Sequence, residues 1–245
     1  MVESISPDTV GRILNNHRLK PWRHHLWLSP KVPRDAAFAA RVQEVCDLYT
    51  RPLAAHEVVL CVDEKTSLQP RPRKAPTRPA VPARPVQVEH EYGRCGALNL
   101  FAAFDTRTGK VYGMTAERKR QAEFIAFLGM RDREIPASIT TIQVVLDNLR
   151  MHQGKQVQAW LAKHPRFVFH HPPVHCSWMN QVEQWFSILQ RKRLAITDFA
   201  DKGHLAERLY AFVEEWNQHA HPFNWTRRSV VKIMAKCEVP LALAA

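Results

Sequence analysis

Closely spaced cysteines are missing from this chain. Its five cysteines, at 46, 61, 95, 176 and 237, are odd in number, and no two lie closer than fifteen positions. That argues against a disulfide framework and a CxxC metal knuckle, and it fits a reducing cytosol. Also missing is any apolar run long enough to cross a bilayer, and Met1-Val2-Glu3-Ser4 lacks the charge and the greasy stretch of a secretory leader. No internal repeat is visible. Acids are in short supply: 23 against 35 Lys and Arg, a net charge of +12. A surplus of that size answers a polyanion, most often nucleic acid, or serves as a solubilising surface. At 45% hydrophobic and 24% charged residues the composition excludes wholesale disorder. A length of 245 residues makes one large domain, or one domain with a small appendage.

Along the chain, Ser6-Pro7-Asp8 is a helix start: a hydroxyl cap, proline at the first helical position and an acid in the first turn. The short helix to Asn16 and the basic, aromatic stretch Arg18 to Leu28 suit the end of a helix-turn-helix module, or equally a docking helix. From Asp35 to Tyr49 the residues Phe38, Val42, Val45, Cys46 and Tyr49 make one buried helical stripe. Glu57 to Val62 reads as a strand covered on both faces, ending at Asp63-Glu64. Between Lys65 and Arg94, six prolines alternate with Arg71, Arg73, Lys74, Arg78 and Arg84, which predicts an extended, exposed basic arm inserted into the sheet region. Leu98 to Phe104 and Lys110 to Thr115, joined through Gly109, form a hairpin signature.

A helix from about Glu117 to Met130, a strand from Thr140 to Leu146, a helix around Gln153 to Ala162 and a short strand from Arg166 to His170 follow. Two helices close the series: Asn180 to Leu194, with Val182, Trp185, Phe186 and Leu189 in register, and one carrying Leu205, Leu209, Phe212, Val213 and Trp216. Three strands, then strands alternating with helices, describe an α/β fold with a mixed five-stranded sheet flanked by helices. That order matches the ribonuclease-H-like fold. Ligands of open α/β sheets gather at the carboxyl ends of strands.

Asp63 and Asp147 each close a buried strand, and Glu183 lies at the edge of a helix's buried stripe. Singly, each reads as a cap or surface acid. Together, three converging carboxylates with no adjacent fixed cation repel one another and raise each other's pKa, a cost that a divalent ion relieves. Hard oxygen donors suit Mg²⁺. Two such ions, roughly 3.5–4 Å apart, clamp the attacking and leaving oxygens of an in-line phosphoryl displacement. Glu64 is expected to point outward, because successive strand residues face opposite ways.

Val62-Asp63-Glu64-Lys65, Val145-Leu146-Asp147-Asn148 with His152, and Ser177-Trp178-Met179-Asn180-Gln181-Val182-Glu183-Gln184-Trp185-Phe186 resemble the three motif blocks of DDE-type transposases, in the bacterial insertion-sequence branch related to mariner elements. Between Asp147 and Glu183 stand 35 residues, the DD35E type of spacing. Glu91-Tyr92-Gly93-Arg94, Phe101-Ala102-Ala103, Glu123-Phe124 and Asn217 to Trp225 are similar to this branch too, so the resemblance runs from about residue 5 to 230.

The resemblance implies a metal-dependent nuclease and strand transferase using two Mg²⁺ ions, or Mn²⁺ in their place, with Asp63, Asp147 and Glu183 as catalytic acids and metal ligands. Asn148, His152 and Asn180 match positions that orient the carboxylates or the DNA; loop and cap hydrogen bonding is the bland alternative. Transposon-end and target DNA, and a second copy in a homodimer, are the implied partners. No membrane and no organic cofactor are expected, and the place of action is the bacterial cytoplasm, at the nucleoid when DNA-bound. The implied organisation is residues 1–34 as the end of a helix-turn-helix region and linker, 35–235 as the catalytic domain with 65–94 as the arm, and 236–245 as a tail. Members of the branch carry a full helix-turn-helix region ahead of the first acid, and only its end stands here. In mariner-like relatives an insertion at the arm's position reaches a second subunit. Two other readings compete: a catalytically silent transposase remnant that binds DNA or dimerises, and a zinc protein built on His170, His171, His175 and Cys176. The zinc reading demands four convergent ligands, and His170 and His171 point to opposite faces.

Overall fold

The computed structural model describes residues 4–23, 35–174, 176–196, 198–226 and 228–232. The chain divides into two compact units, residues 1–33 and 34–245. The first contains α1 (Pro7–Asn16), started as its sequence predicts: Ser6 Oγ accepts the Thr9 amide at 3.2 Å, and proline takes the first turn. Much of the basic, aromatic stretch after it lies outside the described residues, as do His175 and the tail from 236.

The second unit opens with α2 (Ala36–Thr50), capped by the Asp35 carboxylate on the Phe38 amide at 2.9 Å. Five strands follow: β1 (Glu57–Leu68), β2 (Leu98–Asp105), β3 (Val111–Ala116), β4 (Thr141–Val145) and β5 (Phe167–His170). Their spatial order is β3-β2-β1-β4-β5. The β1–β2 and β2–β3 pairs are antiparallel, and β1–β4 and β4–β5 are parallel. The helices are α3 (Gln121–Glu134), α4 (Lys155–Leu161), α5 (Val182–Leu189) and α6 (Lys202–Gln218).

Both faces of the sheet are covered, and the strand residues alternate between two cores. In β1, Val59 and Cys61 join the core built with α2, α5 and α6, where Val42, Trp185 and Leu209 are buried. Leu60 and Val62 join the opposite core, with Phe124 and Phe127 of α3 and Val157 of α4. Beyond α6, Phe223 stacks on Phe104 with centroids 4.7 Å apart, and Trp225 meets Tyr49 edge-on at 4.9 Å. The Asn217 amide exchanges hydrogen bonds with the Val111 N–H (2.8 Å) and carbonyl (2.7 Å), closing part of the edge that β3 leaves open.

Four expectations need correction. The first strand does not stop at Asp63: it runs on to Leu68, because β2 continues to pair with it (Asp63 opposite Ala102, Lys65 opposite Leu100) after β4 has ended at the Cys61–Val145 pair. α3 starts at Gln121, where the Glu123 carboxylate accepts the Arg120 amide at 3.1 Å. α5 ends at Leu189 and passes into a π-helical turn, Gln190–Leu194. The arm, finally, is not one extended line. It doubles back on itself through the bridges Arg73–Tyr92, Arg78–Gln87 and Val81–Arg84, with Ala83 at φ 61° in its tip. Its base is pinned by the Arg73 amide on Asp198 Oδ1 (3.0 Å) and the Phe199 amide on the Pro70 carbonyl (3.0 Å).

Candidate active site

Asp63 stands where β1 loses β4 as a neighbour but keeps β2, so one flank of the strand opens into a rim. By the alternation of β1 its side chain shares the face of Val59 and Cys61, toward α5. The approach to α5 is a one-turn 3₁₀ helix, Ser177–Met179, whose last carbonyl accepts the Tyr49 hydroxyl at 2.8 Å. Next to it the buried Asn180 donates its Nδ2 to the Val62 carbonyl (2.8 Å) and to Asp63 Oδ2 (3.4 Å). Its Oδ1 has no hydrogen-bond partner among the described residues. Burial of Val182, Trp185, Phe186 and Leu189 then rotates α5 so that Glu183, in its first turn, lies half-buried at the stripe's edge.

Asp63 is pushed up to about 7, first by burial and then by the nearby negative charges of Glu183, Glu64 and Asp147, against a hydrogen bond from the Glu64 amide at 2.7 Å. At Asp63, then, burial and the neighbouring acids act together. For Asp147 the expectation fails. Burial raises it, but His152 and the Leu149 amide (3.1 Å) outweigh that, and its pKa is lowered. His152 Nδ1 lies 2.9 Å from Asp147 Oδ1. Burial opposes a charged ring, yet hydrogen bonds to Asp147 and Glu64 raise His152 to about 9. A fixed cation does stand beside the acids, in the form of an imidazolium.

Glu64 is the second correction here. It does not point outward: its side chain is fully buried on the face of Leu60 and Val62, with Oε1 3.0 Å from His152 Nε2 and Oε2 3.4 Å from Lys119 Nζ. Neither Glu64 nor Lys119 was singled out by sequence reasoning as a site residue. The signal was available for Glu64, because a strand covered on both faces has no outward side.

Asn148 is exposed and donates its amide to the Pro172 carbonyl at 2.6 Å, so it ties the loop after β4 to the loop after β5. These two loops wall a cavity of about 350 Å³ that includes Asp147, Asn148, Pro172, Pro173 and Asn180. His170 lies against Glu44 (2.7 Å) and Gln143 (2.6 Å), while His171 meets the Asp147 carbonyl (3.0 Å), so the two histidines take separate partners. Of the five arm cations, Lys74 pairs with Glu91 at 2.6 Å, and Arg73 donates to the Glu89 carbonyl at 2.9 Å. Arg71 and Arg73 both lie over the Tyr92 ring, at 5.2 and 5.7 Å. The guanidinium groups of Arg78 and Arg84 have no such partner among the described residues.

The DDE superfamily endonuclease family model matches residues 58–206, a span that takes in all three acids. An uncharacterized 39 kDa protein of insertion element IS630 from Shigella sonnei is 26% identical over 137 residues, covering 55% of this chain and 38% of that protein. The chain therefore spans well under half the length of that curated relative. Among solved structures, the Mos1 mariner paired end complex with Mn is similar over 96% of this chain and 69% of that one, at 17% identity and a TM-score of 0.57. The catalytic domain of Mos1 mariner transposase matches over 86% of this chain and 95% of its own length, at 14% identity and a TM-score of 0.52. At those identities the structures speak for the ribonuclease-H-like fold alone. The family model covers more than half of the chain, and with it the chain belongs to the DDE superfamily endonucleases.

Proposed function

We propose that this chain is the catalytic part of an insertion-sequence transposase, cleaving and rejoining DNA with divalent metal bound by Asp63, Asp147 and Glu183. The observation that carries the reading is the placement of Asp63, buried on the flank of β1 that β4 leaves open. A buried carboxyl held at about 7 by burial and three neighbouring acids lacks a counter-charge at the rim where this family does its chemistry. The donor set is all carboxylate oxygen, which fits Mg²⁺ or Mn²⁺. Among the described residues no three His, Cys, Asp or Glu side chains are already gathered as a finished metal cage. The fit is one of donor chemistry.

When bound, a pair of ions supplies Lewis acidity to the attacking and leaving oxygens of the phosphodiester. The chain's own residues do the rest. Asn180 holds Asp63 from one side, and His152 holds Asp147 from the other. The first displacement breaks the bond between phosphorus and the 3′ oxygen while water oxygen bonds to phosphorus, leaving a 3′ hydroxyl and a 5′ phosphate. In the second, the oxygen of that 3′ hydroxyl bonds to a target phosphorus as the target's own P–O3′ bond breaks, its proton is lost, and the displaced target strand leaves with a 3′ hydroxyl. On this reading residues 35–235 are the catalytic region, 65–94 its arm and 1–34 the end of a DNA-binding region; DNA and a second copy of the chain are the partners, and the cytoplasm is the place of action.

The test is plasmid nicking with Mg²⁺, Mn²⁺ or Ca²⁺. Nicking is expected with the first two, to be lost in Asp147→Asn, and to be lost in Glu183→Gln while DNA binding stays within about twofold. Normal cleavage by Glu183→Gln would remove that residue from the assignment. DNA binding without nicking in any metal would favour the catalytically silent remnant.

A further inference from the structure

Behind the candidate acids four side chains stand in line: Lys119 Nζ to Glu64 Oε2 at 3.4 Å, Glu64 Oε1 to His152 Nε2 at 3.0 Å, and His152 Nδ1 to Asp147 Oδ1 at 2.9 Å. The side chains of Glu64 and His152 are wholly shielded from water. The four groups come from four places in the fold: the segment before α3, the middle of β1, the 3₁₀ turn Arg150–Gln153 and the loop just after β4. The His152 ring is held on a third side by Phe124, at 4.5 Å between centroids. Its plane and its two nitrogens are thus fixed before any ligand arrives.

Stability alone does not call for such an arrangement. A buried ion pair recovers little more than its desolvation cost, and well-packed apolar residues of the same volume commonly do as well or better. The surrounding core, with Leu60, Val62, Phe124 and Leu146, is apolar and would accept such residues. What the line does accomplish is geometric. Asp147 lies just past the last paired residue of β4, on a half-exposed loop, where the Leu149 amide at 3.1 Å would otherwise be its one hydrogen bond among the described residues.

We propose that Glu64 is a positioning residue that locks the His152 ring, which in turn locks the carboxylate of Asp147 with Oδ1 facing inward and Oδ2 left for a ligand. Glu64 touches neither substrate nor ion; it acts through the ring. The proposal rests on the reading of Asp147 as a metal ligand. Partners of this kind, one shell behind the ligands, set ligand orientation, and their loss costs about 10–100-fold in metal affinity.

Two near-isosteric variants separate reach from charge. Glu64→Asp keeps the charge but withdraws the carboxylate by one methylene, and Glu64→Gln keeps the reach and loses the charge. The glutamine amide can still hold the ring in place, since it offers both a donor and an acceptor. Mn²⁺ affinity is measured by direct titration of the full chain without DNA, with thermal melting alongside. Expected is a loss of about 10–100-fold for Glu64→Asp and less than about threefold for Glu64→Gln. In a His152→Phe background the difference between the two should vanish, because the route through the ring is gone. The reverse pattern, aspartate intact and glutamine weakened, would overturn the proposal in favour of a bare charge effect. So would a difference that persists without His152. Should Glu64→Asp fail to fold, Glu64→Gln alone still decides: affinity near that of the parent supports positioning, and a tenfold loss overturns it. Asp147→Asn serves as the control for the underlying reading. If it binds Mn²⁺ like the parent, the metal assignment has failed, whatever Glu64 does.

Discussion

Asp63 and His152 carry shifts that act on stability in the same direction. The folded pKa of Asp63 is about 7 against an ordinary 3.8, so between those values the folded chain binds a proton that the unfolded chain does not. Stability therefore falls as pH rises from about 4 to 7. His152 is raised from 6.5 to about 9, so its contribution is complete below 6.5 and lost as pH rises through 9. At about 1.4 kcal/mol per unit, each amounts to a few kcal/mol at most. Denaturant unfolding in the presence of a chelator should show stability declining from pH 5 to 9. Asp63→Asn should flatten the lower part of that decline, and His152→Phe the upper part. Stability that is level or rising over this range would mean that neither group is held as the structure has it. The acids themselves were legible as residues, since each sits at a break in an apolar pattern. Their electrostatics were not. Whether a carboxylate is repelled or paired depends on His152, which reaches Asp147 across a turn, and on Glu64, which reaches His152 across 88 positions of sequence.

At the scale of elements, the turn joining β2 and β3 gives the sharpest prediction. Asp105 Oδ1 accepts the amides of Arg107 (2.8 Å) and Thr108 (3.2 Å), and Gly109 closes the turn by donating its N–H to the Asp105 carbonyl at 2.8 Å. Gly109 has φ +73°, and a Cβ placed there would lie 2.1 Å from the carbonyl carbon of His221. Its own carbonyl accepts Trp216 Nε1 at 2.8 Å, so the turn is wedged against the segment after α6. Gly96 has nearly the same φ, +75°, but a Cβ there meets only the Lys202 side chain, at 3.4 Å. Gly96→Ala should cost about 1–3 kcal/mol, the cost of the backbone conformation alone. Gly109→Ala should cost measurably more, because backbone must move. Equal losses in urea unfolding would show that the contact with His221 is not maintained.

The hairpin, the helical stripes and the succession of elements along the chain were all readable from periodicity and turn chemistry, which are local. The overrun of β1 was not. Its sequence changes character at Asp63, and only the pairing partner β2, thirty-odd residues away, keeps Lys65 and Leu68 in the sheet. The fold of the arm was hidden for the same reason: prolines announce an extended backbone but not that it returns along itself.

For the molecule as a whole the governing quantity is the charge of +12. Each phosphate neutralised by Lys or Arg releases counterion, so DNA affinity should fall with salt at a log–log slope of about −0.9 per contact on duplex DNA. Where those contacts lie is the question the arm poses. Sequence alone offered five cations there, but the folded arm spends Lys74 on Glu91 and engages Arg71 and Arg73 around Tyr92, so Arg78 and Arg84 near its tip are the ones left to meet a partner. If the arm lies along DNA, Arg78→Ser with Arg84→Ser should shallow the slope by about 2, two contacts at roughly 0.9 each. If instead the arm reaches a second copy of the chain, the slope should stay as it was, and sedimentation should show a lower mass for the double variant. Should neither change, the arm is a solvated ribbon. The phosphate contacts would then have to come from cations nearer the acids, and Lys65 in β1, which lies 5.8 Å from the Phe186 ring of α5, is the first to substitute.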